Sequence, residues 1–492
     1  MGHDADDLQT DRPRRVAIIG AGPGGICTGV RLLEAGHDDF VILEQAPGIG
    51  GTWWHNRYPG AECDIKSHLY SFSFAPKPDW SRRYARQPEI KGYLEEVVER
   101  FGLAPHLRLD TPVRAAAWDD ERSVWRLTIG DGEVLEAEVV VSALGMFGAP
   151  VAPDIPGLDR FTGTVFHSAR WDDDHDLSGE SVAVIGSAAS AVQFIPEIAP
   201  TVGQLYVHQR SANWVLPKED DAFTDDELDA FRADPDSVTA MRDSIFTTVD
   251  PNLTFADVQR RAAAEAAGLS NIEVVEDPDV RRKLTPNMPF GCKRPLSSNL
   301  YYPTFNRPDV ELVVEPITEI TEDSVVTADG KTRRVDTIIL ATGFATTKFL
   351  GALDVVGRDG VHIDEAWADG AQAYLGITTA GFPNLFMLYG PNTNNGSIIY
   401  MIECQVDYVM QLLRRLDDEG LASIDVKPDV MDGYNAALQE DLAGVEVWQA
   451  GCHGYYRVPS GRIVTQWPHS MTEYRTRTQH PDPDAFDVVP AS

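Results

Sequence analysis

The sequence predicts an α/β fold of two doubly wound parallel-sheet units, one inserted in the other, with a helical insertion in the inner unit. Three observations carry this. The apolar run Val16-Ala17-Ile18-Ile19 leads into Gly20-Ala21-Gly22-Pro23-Gly24-Gly25, a helix-like stretch and a second apolar run, Phe40-Val41-Ile42-Leu43. The same order recurs 166 residues later: Val182-Ala183-Val184-Ile185, then Gly186-Ser187-Ala188-Ala189-Ser190-Ala191, then Leu205-Tyr206-Val207-His208. Strand-like segments return at 310–314 and 335–340, after a stretch of helical pattern. Short apolar strands alternating with helices build parallel sheets.

Length and composition agree. The 492 residues suit two to three domains, and 43% hydrophobic with 24% charged residues is ordinary globular chemistry. A formal net charge of −34 disfavours nucleic acid and anionic membranes. The five cysteines, Cys27, Cys63, Cys292, Cys404 and Cys452, form no Cys-x-x-Cys pair, which argues against a disulfide framework, zinc and a dithiol reductase. No stretch approaches the roughly 18 apolar residues of a spanning helix. Neither end carries a recognisable sorting signal, so the expected location is cytoplasmic, with a monomer or weak homodimer.

Taken in order, residues 1–13 read as a disordered tail and 14–155 as the first part of the outer unit. Within it, Glu138–Gly145 reads as a buried strand ending in a glycine turn. Pro150, Pro153 and Pro156 mark a linker, and 156–334 is the inner unit. Its insertion spans about 219–289. It opens with an acidic stretch in which Thr224-Asp225-Asp226-Glu227 is a capping box. A solvated helix pair and a wall of the substrate site are both open readings of it. Residues 335–492 return to the outer unit, with Asp336 and Ala341-Thr342-Gly343 at the crossing. Further on, Ile402, Val406, Val409, Leu413 and Leu416 share one helical face.

Both glycine turns have the strand–turn–helix–strand context of Rossmann-like dinucleotide sites, where small residues let the backbone approach a pyrophosphate at a helix N-terminus. They differ in what ends the next strand. Glu44 lies 24 residues past Gly20, and Arg210 lies 24 residues past Gly186. A carboxylate there accepts hydrogen bonds from free ribose hydroxyls, while an arginine fits a 2′-phosphate. The first turn therefore reads as an FAD (or NAD) site with Gly20, Gly22, Gly25 and Glu44. The second reads as an NADPH site with Gly186, Ser187, Ala188, Ser190, Ala191 and Arg210. On a chain this acidic the NADPH site must be a local basic exception, for which Arg210, Lys293 and Arg294 are candidates.

Two longer segments name a family. Phe161, Gly163, His167, Trp171 and Asp172 fill every fixed position of Phe-x-Gly-x-x-x-His-x-x-x-Trp-Pro/Asp, which resembles the fingerprint of type I Baeyer–Villiger monooxygenases. The run Gly50-Gly51-Thr52-Trp53-Trp54 through Tyr58-Pro59-Gly60 to Asp64 resembles a second pattern of that family. The resemblance covers about Arg14 to Arg477. It implies a two-domain flavoprotein, the NADPH domain inserted in the FAD domain, with O₂ as co-substrate. Its reaction turns a small-molecule ketone into an ester or lactone through a C4a-peroxyflavin anion.

Such chemistry needs a fixed positive charge and few proton donors, and arginine stays charged at any working pH. By resemblance Arg294, in Gly291-Cys292-Lys293-Arg294-Pro295, is the catalytic arginine, stabilising developing negative charge as an oxyanion hole does. Asp64 is its partner in a buried ion pair. Lys293 joins Arg210 at the 2′-phosphate, with Ser211 and Gln193 also on the NADPH. Thr52, Trp53, Trp54, Asp64, Tyr70, Val113 and Gly343 are placed on the FAD. His167 and Trp171 couple the domains.

The chain departs from the family at Cys452-His453-Gly454-Tyr455-Tyr456, where many relatives have Cys-x-Ser-Trp-Tyr. Tyr455 then takes the place of a tryptophan that meets the nicotinamide cofactor. Asn394 and Asn395 are candidates for the substrate pocket. Rival readings are an S- or N-oxygenating flavin monooxygenase and an NADPH oxidase or reductase releasing H₂O₂. Trp171-Asp172 and Lys293-Arg294 weigh against the first; Ala188 and Tyr455 keep the second open.

Overall fold

Parallel sheets bury both faces, so their strands are continuous apolar runs rather than alternating ones. A computed structural model of the chain describes residues 14–351, 353–451 and 454–491, and follows that rule in two separate sheets. The expected tail, 1–13, lies outside the described residues.

The outer unit's sheet runs Leu385–Met387, Val139–Ser142, Val16–Ile19, Phe40–Leu43, Leu107–Arg108, all parallel. Val16–Ile19 is buried along its whole length. Helix Pro23–Glu34 starts with Pro23 in its first turn, where a missing N–H costs nothing, and buries Ile26, Val30 and Leu32 against the sheet. Gly25 permits this packing: a Cβ there would come within 2.0 Å of Gly20 O. Helix Ile398–Asp418 covers the same helix, with Ile402, Val406, Val409, Leu413 and Leu416 buried as their spacing predicts.

The inner unit repeats the plan: Val310–Val313, Gln204–His208, Ser181–Ile185, Thr337–Leu340, Thr164–His167, all parallel. Here the expected boundary at 334/335 is corrected. Thr337–Leu340 pairs with Ser181–Ile185 on one side and Thr164–His167 on the other, and is fully buried, so the inner unit extends past it. The crossing back lies at Ala341-Thr342-Gly343. There the two connecting segments run together: Val151 N–H donates to Gly343 O at 2.9 Å and Ala345 N–H to Ala149 O at 2.9 Å.

The insertion holds helices Asp225–Ala233, Pro235–Val249, Val258–Ile272 and Pro278–Leu284, and the Thr224–Glu227 capping box is formed. One of its helices also bridges the two units. Arg242 of Pro235–Val249 donates to Ser71 O at 2.7 Å, to Leu69 O at 3.2 Å and to Glu403 at 3.0 Å. Among the described residues, no helix is long and apolar enough to cross a membrane. Cys27, Cys63 and Cys404 are buried free thiols, whereas Cys292 is disulfide-bonded, which the scatter of the five did not predict.

Candidate active site

Both glycine turns open onto one cavity of about 1780 Å³ between the units. At the first, Gly20 has φ +106° and its N–H donates to Leu43 O at 2.8 Å, which closes the turn. Gly22 is the N-cap of helix Pro23–Glu34, so that helix directs its free N–H groups into the cavity. Gly51 backs onto it at φ +57°, where a Cβ would come within 2.9 Å of Gly22 Cα. Backbone can approach backbone here only without side chains. Glu44 is buried, one carboxylate oxygen accepting Ala21 N–H at 2.8 Å and the other Ala46 N–H at 2.8 Å. Each oxygen keeps a lone pair for a ribose hydroxyl. This cradle of small residues, helix N-terminus and buried carboxylate fits an adenine dinucleotide such as FAD.

The second turn has the same closure: Gly186, at φ +119°, donates from N–H to His208 O at 3.0 Å. A Cβ on Gly186 would strike Ala341 O at 2.3 Å. Ala188 is the N-cap of helix Ala189–Ile198 and lines the cavity, while Ala191 is fully buried beneath it as packing. Ser187, Ser190, Arg210, Ser211 and Lys293 also line the cavity. Lys293 Nζ donates to Ser211 Oγ at 2.6 Å. Burial, then the charge of Arg210, pushes Lys293 below the ordinary lysine range. Among the described residues neither cation pairs with a carboxylate. Two uncompensated cations and a hydroxyl fit the 2′-phosphate of NADPH.

Arg294 reaches Asp64 across the cavity wall. Nε donates to Asp64 Oδ2 at 3.1 Å, and Nη2 donates to the same oxygen. The expected burial is corrected: 31% of the Arg294 and 41% of the Asp64 side chain is accessible, because both face the cavity. Burial alone would raise the Asp64 carboxyl, but the charge and hydrogen bonds of Arg294 outweigh it and hold it below the ordinary range. Asp64 in turn holds the guanidinium well above its own.

Thr52, Trp53, Tyr70, Val113 and Gly343 line the cavity. Trp53 Nε1 donates to Tyr70 Oη at 3.1 Å and the rings meet edge to face. Trp54 is a correction. Its ring packs on Gly48, where a Cβ would come within 2.1 Å, and under Lys91 Nζ at 5.3 Å, outside the cavity lining. It sits on helix Thr52–His55, where successive residues do not share a face, so Trp53 and Trp54 point apart.

Asn394 and Asn395 are also corrected, for neither lines the cavity. Asn394 Nδ2 donates to Gln466 Oε1 at 2.5 Å, and Asn395 Nδ2 donates to His469 O at 2.9 Å. They tie the 390–397 loop to 463–469. Gln193 touches the cavity, yet its amide is engaged elsewhere: Oε1 accepts Tyr58 Oη–H at 2.9 Å and Nε2 donates to Glu62 O at 3.0 Å.

The fingerprint holds the crossing. His167 Nδ1 accepts Ala169 N–H at 3.0 Å, so the proton sits on Nε2 of the neutral ring. Desolvation lowers its basicity, against a raising contribution from the Gly343 backbone. Phe161 packs against Gly163, where a Cβ would meet its ring at 2.6 Å. Trp171 packs on Phe166 and Phe194, and Asp172 Oδ1 accepts Asp174 N–H at 3.2 Å.

Sequence reasoning missed Tyr389. It is buried at φ +55°, lines the cavity, and donates its hydroxyl proton to Asn394 Oδ1. It also missed Lys218, whose Nζ donates to Glu62 Oε1 at 2.6 Å. Glu62 sits inside the motif ending at Asp64; Lys218 belongs to no motif. Tyr455 lines the cavity, its carbonyl accepting Thr346 Oγ1–H at 3.3 Å and its ring edge-on to Tyr456 at 4.8 Å. Cys452 and His453 lie outside the described residues.

Residues 17–224, which include both turns, match the family described as pyridine nucleotide-disulphide oxidoreductase. The chain is 42% identical to a Baeyer-Villiger monooxygenase of Pseudomonas aeruginosa, over 96% of this chain and 91% of that protein. It is 42% identical to another of Streptomyces coelicolor, over 99% and 94%. A crystal structure of OTEMO in complex with FAD and NADP superimposes with a TM-score of 0.87 at 28% identity, covering 97% of this chain and all of that one.

Proposed function

The chain belongs to the Baeyer–Villiger monooxygenases, and from that membership we propose how its own residues divide the work of oxygenating a small-molecule ketone. It is an FAD- and NADPH-dependent enzyme. Bound FAD would supply hydride acceptance from NADPH and activation of O₂, the chemistry by which ketone, O₂, NADPH and a proton give ester, NADP⁺ and water.

The first turn holds FAD: the N-terminus of helix Pro23–Glu34 binds its pyrophosphate and Glu44 its ribose. The second holds NADPH, with Arg210, Lys293 and Ser211 on the 2′-phosphate. Arg294 is the fixed cation. A ketone carbon is an electrophile, so the incoming oxygen must stay anionic, and negative charge then grows on the carbonyl oxygen. Arg294 stabilises both without offering an acidic proton. Asp64 aims it, the paired hydrogen bonds limiting where the guanidinium can swing. Tyr389 is kept from protonating the nucleophile, because its O–H is directed away to Asn394.

The observation that carries this reading is Arg294, held by Asp64, on the wall shared by both nucleotide turns. Both turns and the ion pair come from one chain, which supports a single chain as the working unit. Dependence on NADPH supports residence in the cytoplasm, where that cofactor is regenerated.

The test is turnover with NADPH and air on cyclic, linear and aromatic ketones, measuring ester by mass spectrometry and H₂O₂ by peroxidase assay. Ester from at least one ketone class, with NADPH consumption matched mainly by product, is expected. No ester from any class, with H₂O₂ equal to NADPH consumed, would replace this reading by that of an NADPH oxidase.

A further inference from the structure

Two residues of the inner unit grip one residue of the outer unit. Gln193 holds the backbone of Glu62, its Nε2 donating to Glu62 O at 3.0 Å and its Oε1 accepting Glu62 N–H at 3.4 Å. Lys218 holds the side chain, with Nζ to Glu62 Oε1 at 2.6 Å, and reaches on to Cys63 O at 3.3 Å. The pair is sealed from water: 2% of the Lys218 and 13% of the Glu62 side chain is accessible. Asp64 follows two positions later.

Both grips connect to the chemistry. Lys218 comes just after strand Val215–Leu216, whose parallel partner is Leu296–Ser297, and Pro295 alone separates that partner from Arg294. Lys218 N–H also donates to Asn299 Oδ1 at 2.9 Å, and Asn299 Nδ2 donates to Lys218 O at 2.6 Å. The lysine is thereby fixed to the segment that carries Arg294. Gln193 sits on helix Ala189–Ile198, one turn past Ser190 of the second glycine turn. One short clamp thus joins the second turn, the Asp64 segment and the Arg294 segment.

A buried ion pair contributes little net stability over apolar residues of the same shape, because both charges lose water. Its geometry is another matter, since a desolvated lysine accepts few arrangements of its partner. The pairs around it, Lys66–Glu219 and Arg83–Glu227, are more open to solvent and constrain less.

We propose that Lys218 and Gln193 are positioning residues that fix Glu62 and thereby hold Asp64 in register with Arg294. The proposal rests on the catalytic reading of Arg294 given above. Cys63, a free thiol only 3% exposed between Glu62 and Asp64, reports on the clamp without turnover.

The test compares Lys218→Met, Lys218→Arg and the double variant Lys218→Met/Glu62→Leu, each purified with FAD bound. Alkylation of Cys63 is followed by peptide mass spectrometry, and ester formation is measured alongside. Labelling about tenfold faster is expected in Lys218→Met and in the double variant, as the segment opens locally, with Lys218→Arg close to wild type. In the same two variants kcat falls about tenfold while KM for NADPH moves less than about threefold. Unchanged labelling, or faster labelling with wild-type kcat, overturns the proposal. So does a double variant that recovers ester formation, which would reduce the pair to packing. If Lys218→Met does not fold, the double variant decides, since it strands no charge. Absence of ester in the wild type would sink the monooxygenase reading, while the Cys63 comparison would still be read on its own.

Discussion

Arg294 and Asp64 stand 230 positions apart in sequence and come from different units, yet both donor groups of Arg294 converge on a single oxygen, Asp64 Oδ2. The pair therefore both joins the units and presents to the cavity a guanidinium whose other N–H groups have no hydrogen bond among the described residues.

That arrangement makes Arg294→Ala a clean separation of binding from chemistry. Among the described residues Arg294 hydrogen-bonds Asp64 and not the first glycine turn, so FAD should be retained at wild-type stoichiometry by its absorbance. Ester formation should fall by at least about a hundredfold, the usual cost of removing one donor to a developing oxyanion. Retained ester formation would remove the residue from the chemistry.

Asp64→Asn tests the partner. Asp64 has a lowered carboxyl range in the fold, so its contribution is present above the unfolded value of about 3.9 and is lost as pH falls through the lower folded value. At pH 7 the contribution is complete. Asp64→Asn should destabilise the protein there by about 1–2 kcal/mol, less than a fully buried pair because both side chains reach the cavity. As pH falls below about 4 the difference in urea melts should shrink, and it should vanish only below the lowered folded value. A difference that persists or grows in acid would show that the Asp64 charge is not what stabilises the pair.

These outcomes also mark how much of the molecule the sequence discloses. Local patterns carried far. The two glycine turns, Glu44 and Arg210 sit where chain order and spacing put them, because each turn is made within one strand–helix unit, whereas Asp64 and Arg294 were legible only through the family resemblance. What failed was non-local. Strand Thr337–Leu340 went to the wrong unit, since nothing in four apolar residues says which sheet they enter. Trp54 and Trp53 look alike in a motif, but a one-turn helix turns one inward and the other onto Gly48. Asn394 and Asn395 read as pocket polarity, whereas their partners, Gln466 and His469, lie about 72 to 74 residues on.

The second turn gives a cofactor-preference prediction. Arg210→Ala and Lys293→Ala should each raise KM for NADPH by roughly ten- to a hundredfold, the value of one charge-assisted hydrogen bond. NADH carries no 2′-phosphate, so its KM should change less than about threefold, and the NADPH preference should collapse. Equal losses with both nucleotides would mean that the residues hold the fold or the pyrophosphate instead. Lys293 offers a further distinction. Lys293→Arg keeps the charge beside Arg210 but cannot reproduce the single short bond to Ser211, so partial recovery is expected.

Tyr455 is where this chain leaves its family's usual pattern, and its ring has work that can be measured. It lines the cavity with Arg294 and Tyr389, is braced edge-on by Tyr456, and is anchored through its carbonyl to Thr346 beside the crossing segment. A ring so placed can stack on a nicotinamide and keep water from the reacting atoms. Tyr455→Ala should weaken NADP⁺ retention by about fivefold, the worth of one aromatic contact, and raise the H₂O₂ released per NADPH consumed. Tyr455→Phe keeps the ring and should match wild type in retention, so any change in H₂O₂ release belongs to the hydroxyl. Tyr455→Trp enlarges the stacking face and should bind NADP⁺ at least as tightly. Isothermal titration of NADP⁺ with peroxide quantification checks all three variants. Wild-type affinity and wild-type coupling in Tyr455→Ala would show that the ring does not meet the nicotinamide nucleotide.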